Sequence, residues 1–219
     1  MRIGRPMRRK DLVTLLETVP LPPHGAPELE RVRTPASVAA DLLYIAELER
    51  PLKGRRVIDL GCGTGIFCLG AAALGATVQG IDIDEESLAL ARDVCRGRDV
   101  ELMLSDVAEW TPAPADLVIM NPPFGAQRGN RYGDRLFWQK AVDAARLGGG
   151  SVYGLALEST GAFIARLASE MNCSAEEIAA WNYPLQASQS FHRQEAKVLR
   201  VAGWHLIPRA EKHRPFAGG

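Results

Sequence analysis

Between residues 56 and 171 the sequence alternates short apolar runs with segments of helical periodicity, and this alternation constrains the fold most strongly. The apolar runs are 56–60, 77–81, 100–104, 115–120 and 151–157, and the helical segments are 66–74, 85–96, 136–145 and 160–171. A short apolar run bounded by turn signals is typical of a strand that is buried on both faces. Strands that alternate with helices form βαβ units. The sequence therefore predicts an α/β protein with a doubly wound, mostly parallel sheet.

The segments on either side of this alternation complete the predicted fold. Apolar residues recur at helical spacing over 34–49, after a Thr34-Pro35 start signal, and predict a helix that leads into the core. The runs 178–185 and 196–207 have no helical segment between them. Because strands joined without a crossover pair in opposite directions, we expect a C-terminal antiparallel hairpin.

The composition excludes several classes of protein. The chain has 219 residues, is 47% hydrophobic and carries 26 basic and 26 acidic side chains, which is ordinary for a globular domain. Its four cysteines form no C-x-x-C pair, so we expect no metal site and no disulfide framework. No apolar run reaches the roughly 20 residues that span a bilayer, and residues 1–10 lack the apolar part of a secretory signal. We therefore expect a cytoplasmic protein without membrane contact.

The first predicted strand runs into a glycine loop that is typical of a cofactor site. Asp59 precedes Gly61, Gly63 and Gly65, and glycines let a backbone turn tightly and approach a ligand closely. The spacing is G-x-G-x-G rather than the G-x-G-x-x-G of dinucleotide sites. A carboxylate ahead of the loop also suits an ammonium group better than a pyrophosphate. Both features favour S-adenosylmethionine over NAD as the cofactor.

The second and third predicted strands each end close to an acidic residue. Asp82 is placed to accept hydrogen bonds from the hydroxyls of an adenosine ribose, and Asp106 follows the third strand at the same rim of the sheet. We add their apolar neighbours Ile83 and Val107 to the predicted cofactor site.

The fourth predicted strand runs into Asn121, Pro122, Pro123 and Phe124. The two prolines fix φ and remove two amide donors, so the carbonyls and the Asn121 amide are held rigidly. If the Asn121 oxygen and the Pro122 carbonyl each accept one N–H of an exocyclic amine, its lone pair points toward the methyl donor. Phe124 offers a flat face on which a flipped-out base can stack. The motif is typical of methylation at a planar nitrogen.

With these motifs the chain resembles the class I S-adenosylmethionine-dependent methyltransferases. Among them, it resembles the methyltransferase-like family that makes N6-methyladenosine in small-subunit ribosomal RNA. The residues that carry this resemblance are Leu29-Glu30 with Thr34, Asp59-Leu60-Gly61-Cys62-Gly63, Asp82-Ile83-Asp84-Glu85, Ile119-Met120-Asn121-Pro122-Pro123-Phe124-Gly125, and Tyr183-Pro184-Leu185 with Ala187-Ser188 and Phe191-His192. The sequence departs from the family at Arg31 and Val32, where Gln and Tyr are common.

The resemblance implies a Rossmann-like fold with a seven-stranded, mostly parallel sheet whose seventh strand is antiparallel. It implies cofactor contacts by Thr34, Gly61, Asp82 and Asp106, and amine handling by residues 121–124. It further implies RNA as the substrate and, by analogy with eukaryotic members, a small zinc-binding activator that pairs along the sheet. The predicted domains are a basic extension over residues 1–28, a class I methyltransferase domain over residues 29–208 and a basic tail over residues 209–219.

Four further residues are candidates for substrate binding. Arg128 and Arg131 follow the catalytic motif in a glycine-rich stretch, where they either clamp RNA phosphates or lie on a solvated loop. Phe191 and His192 line the substrate side by family resemblance.

Other functions also fit the motifs. One alternative is a guanine-N2 methyltransferase acting on RNA, and another is a glutamine-N5 methyltransferase acting on a release factor. In both cases the substrate presents a planar amine to the same acceptors. A nonenzymatic RNA-binding subunit would retain only the fold.

Overall fold

A seven-stranded sheet crosses the molecule in a computed structural model that describes residues 7–21, 34–123, 133–184 and 198–210. The strands are β1 (Arg56–Leu60), β2 (Thr77–Asp82), β3 (Val100–Leu104), β4 (Leu117–Met120), β5 (Ser151–Leu157), β6 (Cys173–Pro184) and β7 (Val198–Pro208). Their order across the sheet is β3-β2-β1-β4-β5-β7-β6. The first five strands are parallel, and β7 runs antiparallel to both β5 and β6. The predicted fold class, including the antiparallel hairpin, is confirmed.

Helices cover both faces of the sheet. They are α1 (Arg9–Leu16), α2 (Ala36–Glu49), α3 (Ile66–Ala73), α4 (Glu85–Val94), α5 (Gly133–Gly148) and α6 (Gly161–Glu170), with a 3-10 turn over Glu158–Thr160. One hydrophobic cluster joins one face of the sheet to α1–α4, and a second joins the other face to α5 and α6. In β1, Val57 belongs to the first cluster whereas Ile58 and Leu60 belong to the second. The central strands are therefore buried on both faces, which explains their continuous apolar runs.

Helix α1 packs into the domain, although we placed its residues in the basic extension. Leu12 and Leu16 have no exposed surface and belong to the first cluster. They lie against α3 at Gly70, where an added Cβ would come within 2.3 Å of Leu43 Cδ1 and 3.4 Å of Leu16 Cδ2. The absence of a side chain at Gly70 lets α1, α2 and α3 approach one another closely.

Strand β6 begins at Cys173 rather than at residue 178, where the sequence pattern starts. It is an edge strand, and Glu176 and Glu177 are exposed, so its first half shows no apolar alternation. A bulge between Glu177 and Ala179 shifts the register with β7. An alternation of period two cannot continue through a bulge, because the extra residue reverses the face of each following side chain.

We predict that Leu12→Ala lowers the free energy of unfolding by about 3 kcal/mol, because it leaves a cavity where α1 meets α2 and α3. Urea denaturation would measure the change. The matched substitution Lys10→Ala removes an exposed side chain of the same helix and should stay within about 0.5 kcal/mol of the wild type. Equal stability of the two variants would contradict the packing of α1 onto the domain.

Candidate active site

The carboxyl ends of four neighbouring strands form one rim of the sheet. β1 lies between β2 and β4, and the chain moves outward from β1 to β3 before it returns to β4 on the other side. Ligands of open α/β sheets bind at such a reversal of strand order. The predicted residues at or just beyond these strand ends are Asp59, Gly61, Gly63, Asp82, Ile83, Asp106, Val107, Asn121, Pro122 and Pro123.

The glycine loop folds back over the end of β2. The N–H groups of Gly61 and Cys62 both donate to the carbonyl of Ile81, at 2.8 and 3.0 Å. Gly61 and Gly63 have φ values of +77° and +51°, a left-handed region that other residues rarely adopt. A Cβ at Gly61 would lie 3.0 Å from Phe137, whereas a Cβ at Gly63 would meet no atom of the described residues within 4 Å. The loop is therefore packed at Gly61 and open at Gly63, where a ligand can reach its backbone.

Asp59 lies beneath this loop and caps helix α3. Its side chain is fully buried, and Oδ2 accepts hydrogen bonds from the Cys68 N–H at 3.1 Å and the Cys68 thiol at 3.2 Å. Cys68 is in the first turn of α3, whose N–H groups lack partners within the helix. Burial raises the pKa of Asp59 from its ordinary value of 3.8 to about 7, partly offset by the two hydrogen bonds from Cys68. Oδ1 is buried and has no hydrogen-bond partner among the described residues.

Asp82 ties the glycine loop to the loop after β2. Its Oδ2 accepts the Gly63 N–H at 2.7 Å, and its Oδ1 accepts the Asp84 N–H at 2.9 Å. Burial raises the pKa of Asp82, and these N–H donors oppose the rise. A carboxylate has about four acceptor positions, so Asp82 keeps capacity for ligand hydroxyls while it holds the loop.

The other predicted cofactor residues border Asp82. Ile83 is 53% exposed, which is unusual for a large apolar side chain and provides a surface for a flat apolar ligand. Asp106 is exposed, and its Oδ1 accepts the Ala108 N–H at 2.8 Å. Val107 is buried and packs in the second cluster, so it supports the rim from below.

Asn121 is held at the end of β4 by two hydroxyl groups. Its amide nitrogen donates to Thr34 Oγ1 at 3.0 Å and makes a longer contact with Tyr183 Oη at 3.5 Å. The family resemblance implied a cofactor contact for Thr34, and in the structure its hydroxyl accepts a hydrogen bond from Asn121. The family resemblance includes Tyr183 without a role, since no local pattern connects a residue of the last hairpin with the end of β4.

A small open cleft lies beside Pro122 and Pro123. The end of β5 and the helices α5 and α6 form its other walls. The residues that line these walls are Asp134, Trp138, Leu155, Ala156, Leu157, Thr160 and Ile164. The cleft lies on the β5 side of β4, whereas the glycine loop lies at the ends of β1 and β2 on its other side.

Several predicted residues lie outside the described ranges. They are Phe124, Arg128, Arg131, Phe191 and His192 of the substrate set, with Arg31 and Val32 of the family comparison. Their predicted roles remain predictions.

Within the described ranges, no group of three or more His, Cys, Asp or Glu side chains is arranged to hold a metal ion. No helix in that part of the chain has both the length and the apolar content required to cross a bilayer.

Comparisons with known proteins agree with this geometry. Residues 38–152 match the family model described as methyltransferase small domain. The chain is 33% identical over 207 residues to the rRNA N(6)-adenosine-methyltransferase METTL5 of Danio rerio, covering 89% of this chain and 96% of that protein. It is 31% identical over 192 residues to Mettl5 of Drosophila melanogaster, covering 81% and 86%.

Solved structures share the fold. A candidate RNA methyltransferase from Pyrococcus horikoshii superposes with a TM-score of 0.79 at 27% identity, covering 91% of this chain and 96% of that chain. A protein from Thermoplasma acidophilum superposes with a TM-score of 0.70 at 25% identity, covering 92% and 98%.

We predict that stability depends on pH through Asp59. The folded protein keeps the Asp59 carboxyl protonated up to about pH 7, whereas the unfolded chain releases this proton near 3.8. Between these values the folded state binds more protons, so the free energy of unfolding falls as pH rises. Relative to Asp59→Asn, the wild type should lose up to about 1.4 kcal/mol per pH unit in this window.

Urea denaturation between pH 4 and 8 would measure this difference. Glu101→Gln removes an exposed carboxyl group and should retain the pH dependence of the wild type. A difference between wild type and Asp59→Asn that stays constant over this range would contradict the prediction.

Proposed function

The chain belongs to the methyltransferase small domain family and takes its methyl group from S-adenosylmethionine, and we propose that it methylates the N6 amine of an adenosine in small-subunit ribosomal RNA. The observation that carries the proposal is the position of Asn121. Its amide is fixed at the reversal of strand order, ahead of two prolines, between the glycine loop and the cleft beside β5. Relatives that cover nearly the whole chain are named as rRNA N6-adenosine methyltransferases.

The rim on the glycine-loop side fits the cofactor. Asp59 Oδ1 is a buried acceptor without a partner among the described residues, and the open backbone at Gly63 allows close approach. Asp82 would accept the ribose hydroxyls, and the exposed Ile83 would pack against the adenine ring. Thr34 and Asp106 complete the proposed set. The bound cofactor supplies an electrophilic methyl group on sulfur, so a carbon–nitrogen bond forms as the carbon–sulfur bond breaks.

The chain's own contribution at the amine is orientation. Asn121 Oδ1 and the Pro122 carbonyl would each accept one N–H of the adenine amine, which directs the nitrogen lone pair toward the methyl group. Pro122 and Pro123 lack amide protons, so neither residue presents an N–H donor to compete with the amine. The amine loses one proton to solvent after transfer. We propose that the adenine enters from the cleft beside Pro122 and Pro123 and stacks on Phe124, with Arg128, Arg131, Phe191 and His192 binding the surrounding RNA.

The alternative substrates give different products. Guanine-N2 methylation would yield N2-methylguanosine, and glutamine-N5 methylation would modify a protein. The names of the relatives favour adenosine in ribosomal RNA over both.

We further propose cytoplasmic action with a small zinc-binding partner. All four cysteines are free and buried, as is usual in a reducing compartment. Among the described strands, β3 pairs only with β2, so its outer edge presents backbone N–H and C=O groups for pairing. Leu104 at its end is 51% exposed and would be covered by such a partner.

We predict that Asp82→Asn weakens S-adenosylmethionine binding tenfold or more, because a hydrogen bond to a charged acceptor contributes about 1.5–3 kcal/mol. Isothermal titration calorimetry would measure the Kd. Asp99→Asn removes a carboxylate at the opposite end of the sheet, before β3, and should leave the Kd unchanged. An Asp82→Asn variant that binds the cofactor as tightly as the wild type would contradict the ribose assignment.

We predict that Asn121→Ala lowers the rate of methyl transfer more than 100-fold while the cofactor Kd stays within twofold. The substitution removes one of the two oriented acceptors and leaves only the Pro122 carbonyl. The substrate is small-subunit RNA from cells that lack the enzyme, with labelled S-adenosylmethionine and nucleoside analysis of the product. Asn182→Ala changes an exposed asparagine of β6 and should retain activity. Label in N2-methylguanosine or in a release-factor peptide, in place of N6-methyladenosine, would overturn the proposed function.

A further inference from the structure

Three side chains from distant parts of the chain meet at the amide of Asn121. Thr34 precedes α2, Asn121 follows β4, and Tyr183 lies near the end of β6. Thr34 and Tyr183 are separated from Asn121 by 87 and 62 positions in the sequence. An asparagine amide nitrogen carries two N–H groups, and in this cluster it lies 3.0 Å from Thr34 Oγ1 and 3.5 Å from Tyr183 Oη.

The two hydroxyl groups are shielded from water. Thr34 is 5% exposed and Tyr183 is 1% exposed. Burial raises the pKa of Tyr183, opposed by a hydrogen bond from Thr34, so the phenol stays neutral over the physiological range. Leaving a buried hydroxyl group without a hydrogen-bond partner costs more free energy than leaving one unpaired in water. The cluster is therefore stable only with polar groups at all three positions.

Strand β6 fixes the position of the Tyr183 hydroxyl. Two residues earlier, the indole N–H of Trp181 donates to Asp41 Oδ2 of α2 at 3.0 Å. Trp181 pairs with Val201 of β7, which in turn pairs with Leu157 at the end of β5. The end of β6 that carries Tyr183 is therefore hydrogen-bonded both to the sheet and to α2, the helix that Thr34 precedes. This places Tyr183 close to the carboxyl ends of β4 and β5.

We propose that Tyr183 and Thr34 are positioning residues for methyl transfer, whose hydroxyl groups hold the Asn121 amide nitrogen and thereby turn its oxygen toward the substrate amine. The proposal rests on the proposed function, and it adds residues that act through Asn121 rather than on the substrate. The two ends of an asparagine amide have nearly the same shape, and its terminal torsion has a broad, two-fold profile. An amide turned the other way would present N–H donors to an amine that also presents donors, and the orientation effect would be lost.

The first test compares two buried tyrosines. Tyr183→Phe removes only the hydroxyl next to Asn121. Tyr153→Phe is the matched control, because Tyr153 is equally buried but its hydroxyl donates to Glu49 of α2, away from the rim. In single turnovers on small-subunit RNA, Tyr183→Phe should be about threefold to tenfold slower with an unchanged Kd for S-adenosylmethionine. Tyr153→Phe should keep the wild-type rate, whatever its effect on thermal unfolding.

Thr34 provides the conservative pair. Thr34→Val keeps the shape without the hydroxyl and should be slowed as Tyr183→Phe is, and Thr34→Ser, which restores the hydroxyl, should recover most of this loss. A rate for Tyr183→Phe within twofold of the wild type would overturn the proposal. In Tyr183→Phe, a loss of cofactor affinity as large as the loss of rate would also overturn it, because a purely structural role predicts both.

A readout without RNA separates this inference from the proposed function. In ¹⁵N-labelled protein without substrate, the side-chain amide resonances of Asn121 are identified by their loss in Asn121→Ala. Tyr183→Phe should shift these resonances and speed exchange of their protons with water, whereas Tyr153→Phe should not. If the wild type methylates no RNA, the proposed function is overturned, and unchanged Asn121 resonances in Tyr183→Phe overturn the positioning role independently.

Discussion

The buried carboxyl group of Asp59 joins the elements on which the rest of the site depends. It stands at the end of the central strand β1 and accepts two hydrogen bonds from Cys68 in the first turn of α3, so strand, glycine loop and helix form one rigid unit. Burying a carboxyl group is unfavourable, which is why its pKa rises to about 7. Asp59 lies where the strand order reverses, next to the proposed cofactor site. A role in ligand binding would explain why an unfavourably buried carboxyl group is present there.

From this unit the site extends in two directions along the rim. Toward β2, Asp82 binds the Gly63 N–H and holds the open side of the glycine loop in place. Toward β4, Asn121 is held by hydroxyl groups from the segment before α2 and from β6. The proposed cofactor side and the proposed amine side thus have separate supports, and β1 is the element that they share. Substitutions on one side can therefore change methyl transfer without changing cofactor binding.

Much of the fold follows from the pattern of apolar residues. The predicted limits of β1 and β5 agree with the structure, because burial of central strands leaves continuous apolar runs. The limits of β3 agree as well, although it is an edge strand whose residues are partly buried or exposed. The beginning of β6 could not be read in this way, since an edge strand with a bulge has exposed side chains and no constant period. Residues that follow parallel strands, such as Asp82 and Asn121, meet at one rim for a reason of topology alone.

The sequence by itself determined the α/β class, the glycine loop and the Asn-Pro-Pro segment after β4, because these depend on short-range periodicity and on backbone preferences of glycine and proline. The tertiary structure alone decided that Asp59 caps α3 and that Tyr183 and Thr34 reach Asn121. Such contacts join residues far apart in the chain. Their geometry is set by strand order, register and helix packing, which no local pattern of residues encodes.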